Sequence, residues 1–202
     1  MPRRPDVLEY TVLGVLSDGP LHGYELRKRL TAILGPFRAL SYGSLYPCLH
    51  RLTERGWVVA AHVPTSPAVT RRAKVDYSLT PDGKDAFAAW VADTGPGFWD
   101  DEAFAARLAF FSRTEARVRL QLLEGRRARL QERLRSLETA IDRAQDRVDV
   151  YEWQLQQHGI DGANREVGWI SQLIEAERNA RATKKAVRKA IKSANSDRKR
   201  KT

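Results

Sequence analysis

Four hydroxyl side chains, Ser41, Tyr42, Ser44 and Tyr46, fall within six residues of one another, at the head of a segment spaced for a helix. Leu45, Leu49 and Leu52 step by four and three and line one face, while Pro47, His50, Arg51 and Glu54 lie opposite. Hydroxyls gathered at a helix N-terminus, beside backbone N–H groups that the helix leaves unpaired, suit phosphate oxygens and base edges. A surface helix with a solvated polar face has the same pattern. Two starts are open to this helix. Ser41 as N-cap would put Pro47 inside the helix and remove a hydrogen bond. Ser44 as N-cap would put Pro47 in the first turn, where its N–H is not needed, and this start is the one expected. Further along, Arg71, Arg72 and Lys74 sit in and beside a polar loop, where cations can neutralise phosphates.

Other chemistries find little support. His22, His50, His62 and His158 have no ligand spacing with Cys or acidic partners, so no metal site is expected. Neither a P-loop nor a dinucleotide fingerprint occurs, and no nucleophile–base set is visible. No catalytic residue and no cofactor are expected, and an enzyme is the disfavoured class. Cys48 is the single cysteine, which fits a reducing cytoplasm. No apolar run reaches the length of a membrane span, and the first residues do not have the form of a secretory signal.

The elements that must position these residues follow from punctuation and period. Val7 to Ser17 reads as a helix stopped by Asp18-Gly19-Pro20, and Gly23 to Leu34 as a second stopped by Gly35-Pro36. The hydroxyl-headed helix is the third and ends at Gly56. Trp57 to Val63 and Lys74 to Leu79 read as strands around a loop at Pro64 to Ala73. Thr80-Pro81 opens a fourth helix. Three helices, a β-hairpin and a helix make a winged helix-turn-helix. Thr94 to Gly97, TGPG, is a breaker cluster and the expected boundary. The fold class is therefore mainly α with a small β-hairpin: a winged head over residues 1–94, a long-helix domain over 98–192 and a basic, disordered tail over 193–202.

The head resembles the PadR family of bacterial transcriptional regulators. The matching segments are LEYTVLGVL, GPLHGYEL, SYGSLYPCLHRLTERGWV and KVDYSLTPDGK, in the family's order and spacing from Leu8 to about Trp90. Cys48 and the Thr53-Glu54 order depart from the usual pattern. The resemblance implies a third helix in the major groove and a wing on the flanking DNA. It carries Ser41, Tyr42, Ser44, Tyr46 and Pro47 over as DNA-proximal residues and places Tyr24 near phosphate, although the Tyr24 ring could equally pack on the core. His50 and Arg51 complete the expected DNA set on that helix, and Arg71, Arg72 and Lys74 complete it on the wing.

Past the boundary the chain turns to Arg, Glu, Leu and Ala. Ser112-x-x-Glu115 has the capping-box form. A seam from Leu120 and Leu123 through Arg127, Leu130, Leu134, Leu137, Ile141, Ala144, Val148, Tyr151 and Leu155 alternates steps of three and four, a coiled-coil signature. Gly159 is the expected turn. A second seam follows through Trp169, Leu173, Ala176 and Ala180. Two thin seams call for a second copy, and Phe104, Phe111, Leu130, Leu134, Leu137, Ile141, Val148, Leu155 and Leu173 are the expected dimerisation residues. The short helix Asp100 to Phe111 is expected to pack into the partner's crevice. Trp99, Trp153 and Trp169 are the candidate stacking site for a small aromatic effector.

Charge is uneven. The chain carries 35 Lys+Arg against 25 Asp+Glu, a net +10. Counted by segment, residues 1–99 have 12 and 9, residues 100–183 have 14 and 15, and residues 184–202 have 9 and 1. The last segment thus holds +8, so the basic balance by itself points to the C-terminal end. The function expected is a cytoplasmic regulator, a repressor, that binds double-stranded DNA at a pseudo-palindromic operator as a homodimer. The competing reading is a sequence-independent architectural or coiled-coil scaffold protein.

Overall fold

The computed structural model describes residues 7–36, 39–63, 74–144 and 149–199. They form two compact units, residues 1–115 and 116–202.

In the first unit the order is α1 (Val7–Leu16), β1 (Leu21–His22), α2 (Gly23–Leu34), α3 (Tyr42–Glu54), β2 (Val58–Val63), β3 (Lys74–Leu79), α4 (Pro81–Ala92) and α5 (Asp101–Leu108). The strands form one antiparallel sheet in the order β1-β3-β2. Val58 pairs with Leu79 and Val63 with Lys74, as expected for the wing. The two-residue strand β1 is an addition to the expected hairpin. Leu21 pairs with Tyr77 and His22 with Asp76, which ties the entrance of α2 to the wing. Two residues are too few to show a period, so the sequence gives no sign of it. The result is a winged helix-turn-helix.

Its core is aliphatic at the centre and aromatic at one end. Val12, Leu13, Leu26, Leu30, Leu45, Leu49 and Leu52 bring α1, α2 and α3 together. Thr80 caps α4: its Oγ1 accepts from Gly83 N at 3.0 Å and donates to Gly56 O at 2.7 Å. Gly56 has φ +71°, the left-handed conformation that the end of α3 requires.

The head does not stop at the 94–97 breaker. Phe98, Phe104 and Phe110 are buried in the first unit, and Phe110 meets Phe87 and Trp90 edge-on. Phe104 is therefore buried within its own chain, and Phe111 lies in a 3-10 turn of the same unit. The face of α5 that carries Phe104 is thus taken up by the aromatic end of its own chain's core. Arg107 fixes this attachment. Its guanidinium lies 4.8 Å from the ring centroids of both Trp90 and Phe98. It donates to the carbonyls of Trp90 and Val91 in the last turn of α4, where helix carbonyls lack their usual i+4 partners. Burial lowers its pKa to about 10, against an opposing pull from Asp93, so the cation stays charged at neutral pH.

The second unit is an antiparallel pair, α6 (Ala116–Ala144) and α7 (Val150–Lys199). Leu123, Leu130 and Leu134 of α6 are buried, as are Ala163, Ile170 and Ile174 of α7. Arg119 is paired with Glu177 and Arg126 with Glu166, which sets the antiparallel register. Two expectations are corrected here. Helix α6 ends at Ala144, and α7 begins at Val150 and runs unbroken through Gly159. Asp149 supplies the start, its Oδ1 accepting from Tyr151 N at 2.6 Å and Glu152 N at 3.0 Å. A cap of this kind is worth about 1 kcal/mol, similar to the cost of one glycine inside a helix, so Gly159 does not decide the turn. The inward face of α7 is also displaced by one residue. Ile170 and Ile174 face in, while Trp169 is 43% exposed.

The tail expectation changes too, since α7 continues to Lys199 through most of the segment read as disordered.

Candidate nucleic-acid interface

The third helix begins at Ser41, not Ser44. Ser41 is extended, with φ −97° and ψ 162°, and its Oγ accepts from Ser44 N at 3.2 Å. Ser44 Oγ in turn donates to Ser41 O at 2.9 Å. Pro47 consequently lies inside α3. An interior proline costs on the order of 3 kcal/mol, and the extra turn needs compensation. Tyr42 supplies part of it. Its ring stacks on that of Tyr46 at 5.7 Å, and Arg27 of α2 lies 4.4 Å above it. Arg27 Nε also donates to Leu40 O at 3.2 Å, holding the chain that leads into the helix.

The DNA-proximal candidates then form one surface. Ser41, Tyr42, Tyr46, Pro47 and His50 are exposed and Ser44 is half-buried, while Leu45, Cys48, Leu49 and Leu52 face the core. Tyr24 is 69% exposed at the start of α2, so its ring does not pack on the core. The hydroxyl of Tyr46 lies near Gly23, and Tyr46 also raises the Tyr77 pKa, a smaller effect than burial there. Tyr46 thus links α3 to the entrance of α2 and to β3. Arg27, Gly23 and Tyr77 were absent from the sequence-based set. Their part depends on contacts between elements and has no local signature.

Two candidates have partners within the head. His50 pairs with Glu54 one turn on, at 3.3 Å. Arg51 donates to Glu9 of α1 at 2.8 Å. Arg71 and Arg72 lie outside the described residues, and Lys74 is the first residue of β3. No group of three His, Cys, Asp or Glu fit to hold a metal occurs among the described residues.

Of the expected dimerisation residues in the second unit, Leu130 and Leu134 are buried in the α6–α7 pair of a single chain. Leu137, Ile141 and Leu173 are half-buried, Leu155 is 72% exposed and Val148 lies outside the described residues. The indole site does not form as expected. Trp153 and Trp169 lie on one helix, sixteen residues and about 24 Å apart, so one small ligand cannot touch both in one chain. Trp99 belongs to the first unit. Among the described residues, no helix is long and apolar enough to cross a membrane.

The fold and this surface define a winged helix-turn-helix head with a hydroxyl- and aromatic-lined third helix. Residues 12–89, most of the winged head, match the model of the transcriptional regulator PadR-like family. The negative transcriptional regulator PadR of Bacillus subtilis is 33% identical over 85 residues. That match spans 42% of this chain and 45% of the relative, less than half of its length. Among solved structures, Bacillus subtilis PadR in complex with operator DNA is 21% identical, with 85% of this chain and 99% of that one covered at a TM-score of 0.39. The PadR-like regulator BC1756 of Bacillus cereus is 18% identical, with 88% and 99% covered at 0.40. Bacillus subtilis PadR in complex with p-coumaric acid is 21% identical, with 85% and 99% covered at 0.37.

Proposed function

We propose that this chain is a cytoplasmic, sequence-specific DNA-binding transcriptional regulator, a repressor, that binds a pseudo-palindromic operator as a homodimer. One observation carries the reading: Ser41, Tyr42, Tyr46 and Pro47 stand exposed together on the first turns of α3, in a head that matches the PadR-like family. Hydroxyls and amide donors at that end suit base edges and phosphates. The wing residues Arg71, Arg72 and Lys74 add phosphate contacts that do not depend on sequence. No catalytic role and no cofactor are assigned.

The homodimer rests on α7. Tyr151, Leu155 and Trp169 are exposed along it at 81%, 72% and 43%. They are separated by four and then fourteen residues, which places them on one stripe of a helix in a coiled coil. A second copy covers that stripe. This replaces Leu130 and Leu134 as the residues between chains.

Footprinting on the DNA upstream of the chain's own gene tests the reading. Two protected half-sites are expected, with centres about 10 bp apart or a multiple of that. Protection of one half-site by a monomer overturns the dimer. Replacing Arg71 and Arg72 by Ala is expected to flatten the log–log salt dependence by roughly 0.9 for each phosphate that is no longer neutralised.

The architectural alternative is favoured by the +8 carried by residues 184–202. Equal affinity for operator and scrambled duplexes would select it. An aromatic effector, such as the p-coumaric acid held by Bacillus subtilis PadR, would stack here on one indole at a time. A panel of phenolic acids that changes neither tryptophan fluorescence nor operator affinity removes it.

A further inference from the structure

Glu9 is 3% exposed, the one charged side chain of helix α1. A buried carboxylate is costly unless charged partners meet it. Two do. Arg51 Nε donates to Oε1 at 2.8 Å and Arg55 Nη1 to Oε2 at 2.6 Å. Each carboxylate oxygen holds one guanidinium, and both guanidinia come from α3 or its C-terminal cap. Arg55 also lies 5.3 Å from the Trp57 ring centroid. The two arginine side chains are 43% and 45% exposed, whereas the Glu9 side chain is 4% exposed. The anion is fixed in the head and the cations reach in to it from the surface.

We propose that Glu9 is a specificity-determining positioning residue for the DNA-binding helix. This rests on the DNA reading above. Held at two points one turn apart, α3 cannot roll about its axis against α1, so the faces of Tyr42 and Tyr46 keep one direction. The same clamp holds two cations away from phosphate. A free guanidinium beside a duplex adds affinity that is blind to sequence, while base contacts set the preference. Glu9 therefore lowers sequence-independent binding and preserves discrimination. On this assignment Arg51 belongs to the clamp, not to the DNA-reading set.

The test is Glu9→Gln, measured on the footprinted operator duplex and on a scrambled duplex across a salt series. A neutral amide cannot hold two guanidinia. The scrambled duplex is expected to bind more tightly, its salt slope to steepen by roughly 0.9 to 1.8, and the operator-to-scrambled ratio to fall. A folded variant with the wild-type slope and ratio overturns the proposal. So does an equal loss of affinity for both duplexes, which is the signature of damage to the fold alone. If Glu9→Gln does not fold, Arg51→Gln decides, since it leaves Glu9 paired with Arg55. An unchanged scrambled-duplex slope supports the clamp. A slope reduced by about 0.9 shows Arg51 already on phosphate and overturns it. Wild-type protein that binds neither duplex overturns the DNA reading itself, a result distinct from binding that Glu9→Gln leaves unaltered.

Discussion

Phe110 packs its ring against Gly14 so closely that a β-carbon on the glycine would lie 2.3 Å from Cζ. Gly14 lies in α1 and Phe110 follows α5, so a residue beyond the breaker plugs the first helix of the head. Arg113 reinforces the contact. It donates to Gly14 O at 2.9 Å and pairs with Asp18 beyond the end of α1. The segment after the winged domain is thus part of its core.

Gly14→Ala tests this contact with a clear sign. In a helix interior Ala is favoured over Gly by about 1 kcal/mol, so open space would make the variant more stable. Overpacking costs about 1–3 kcal/mol, and the Phe110 ring is flanked by Phe87 and Trp90. The variant is expected to lower head stability in urea unfolding, with partial recovery when Phe110→Leu is added. A stabilised single variant would show that Phe110 does not sit there.

The start of α3 has its own test. Ser41→Ala is expected to cost about 1 kcal/mol and Ser41→Gly only a few tenths, the pattern of an N-cap. Ser44→Ala should cost less than Ser41→Ala, because Ser44 lies inside the helix. Thermal unfolding of the three variants measures this, and the reverse order would restore the shorter helix.

In the second unit, neighbouring residues of α7 should separate stability from assembly. Ile170 is fully buried, and Ile170→Ala is expected to cost about 2–5 kcal/mol of the α6–α7 pair, read by circular dichroism on heating. Trp169 is on the outer face, and Trp169→Ala should leave that melt nearly unchanged while weakening the dimer in sedimentation velocity. A dimer untouched by Trp169→Ala and Leu155→Ala would place the interface elsewhere.

What the sequence determined by itself is what short-range chemistry controls. Apolar spacing, Asp18-Gly19-Pro20, Gly56 and Thr80-Pro81 mark α1 to α4 and the wing, because caps, turns and amphipathic periods act within a few residues. The linked motifs of the head carried its likeness to the PadR-like family for the same reason. The tertiary structure decided whatever had two local solutions of similar energy. Ser41 and Ser44 can both cap α3, and Arg27 above Tyr42 accompanies the longer helix. The heptad steps run through residues 144–155 with or without a turn, so packing between α6 and α7 sets where the chain reverses. Arg51 looks equally suited to phosphate or carboxylate, and its partner Glu9 is 42 residues away. That pairing exists only once α1 and α3 are packed, since a guanidinium at the surface takes whichever anion the fold brings to it.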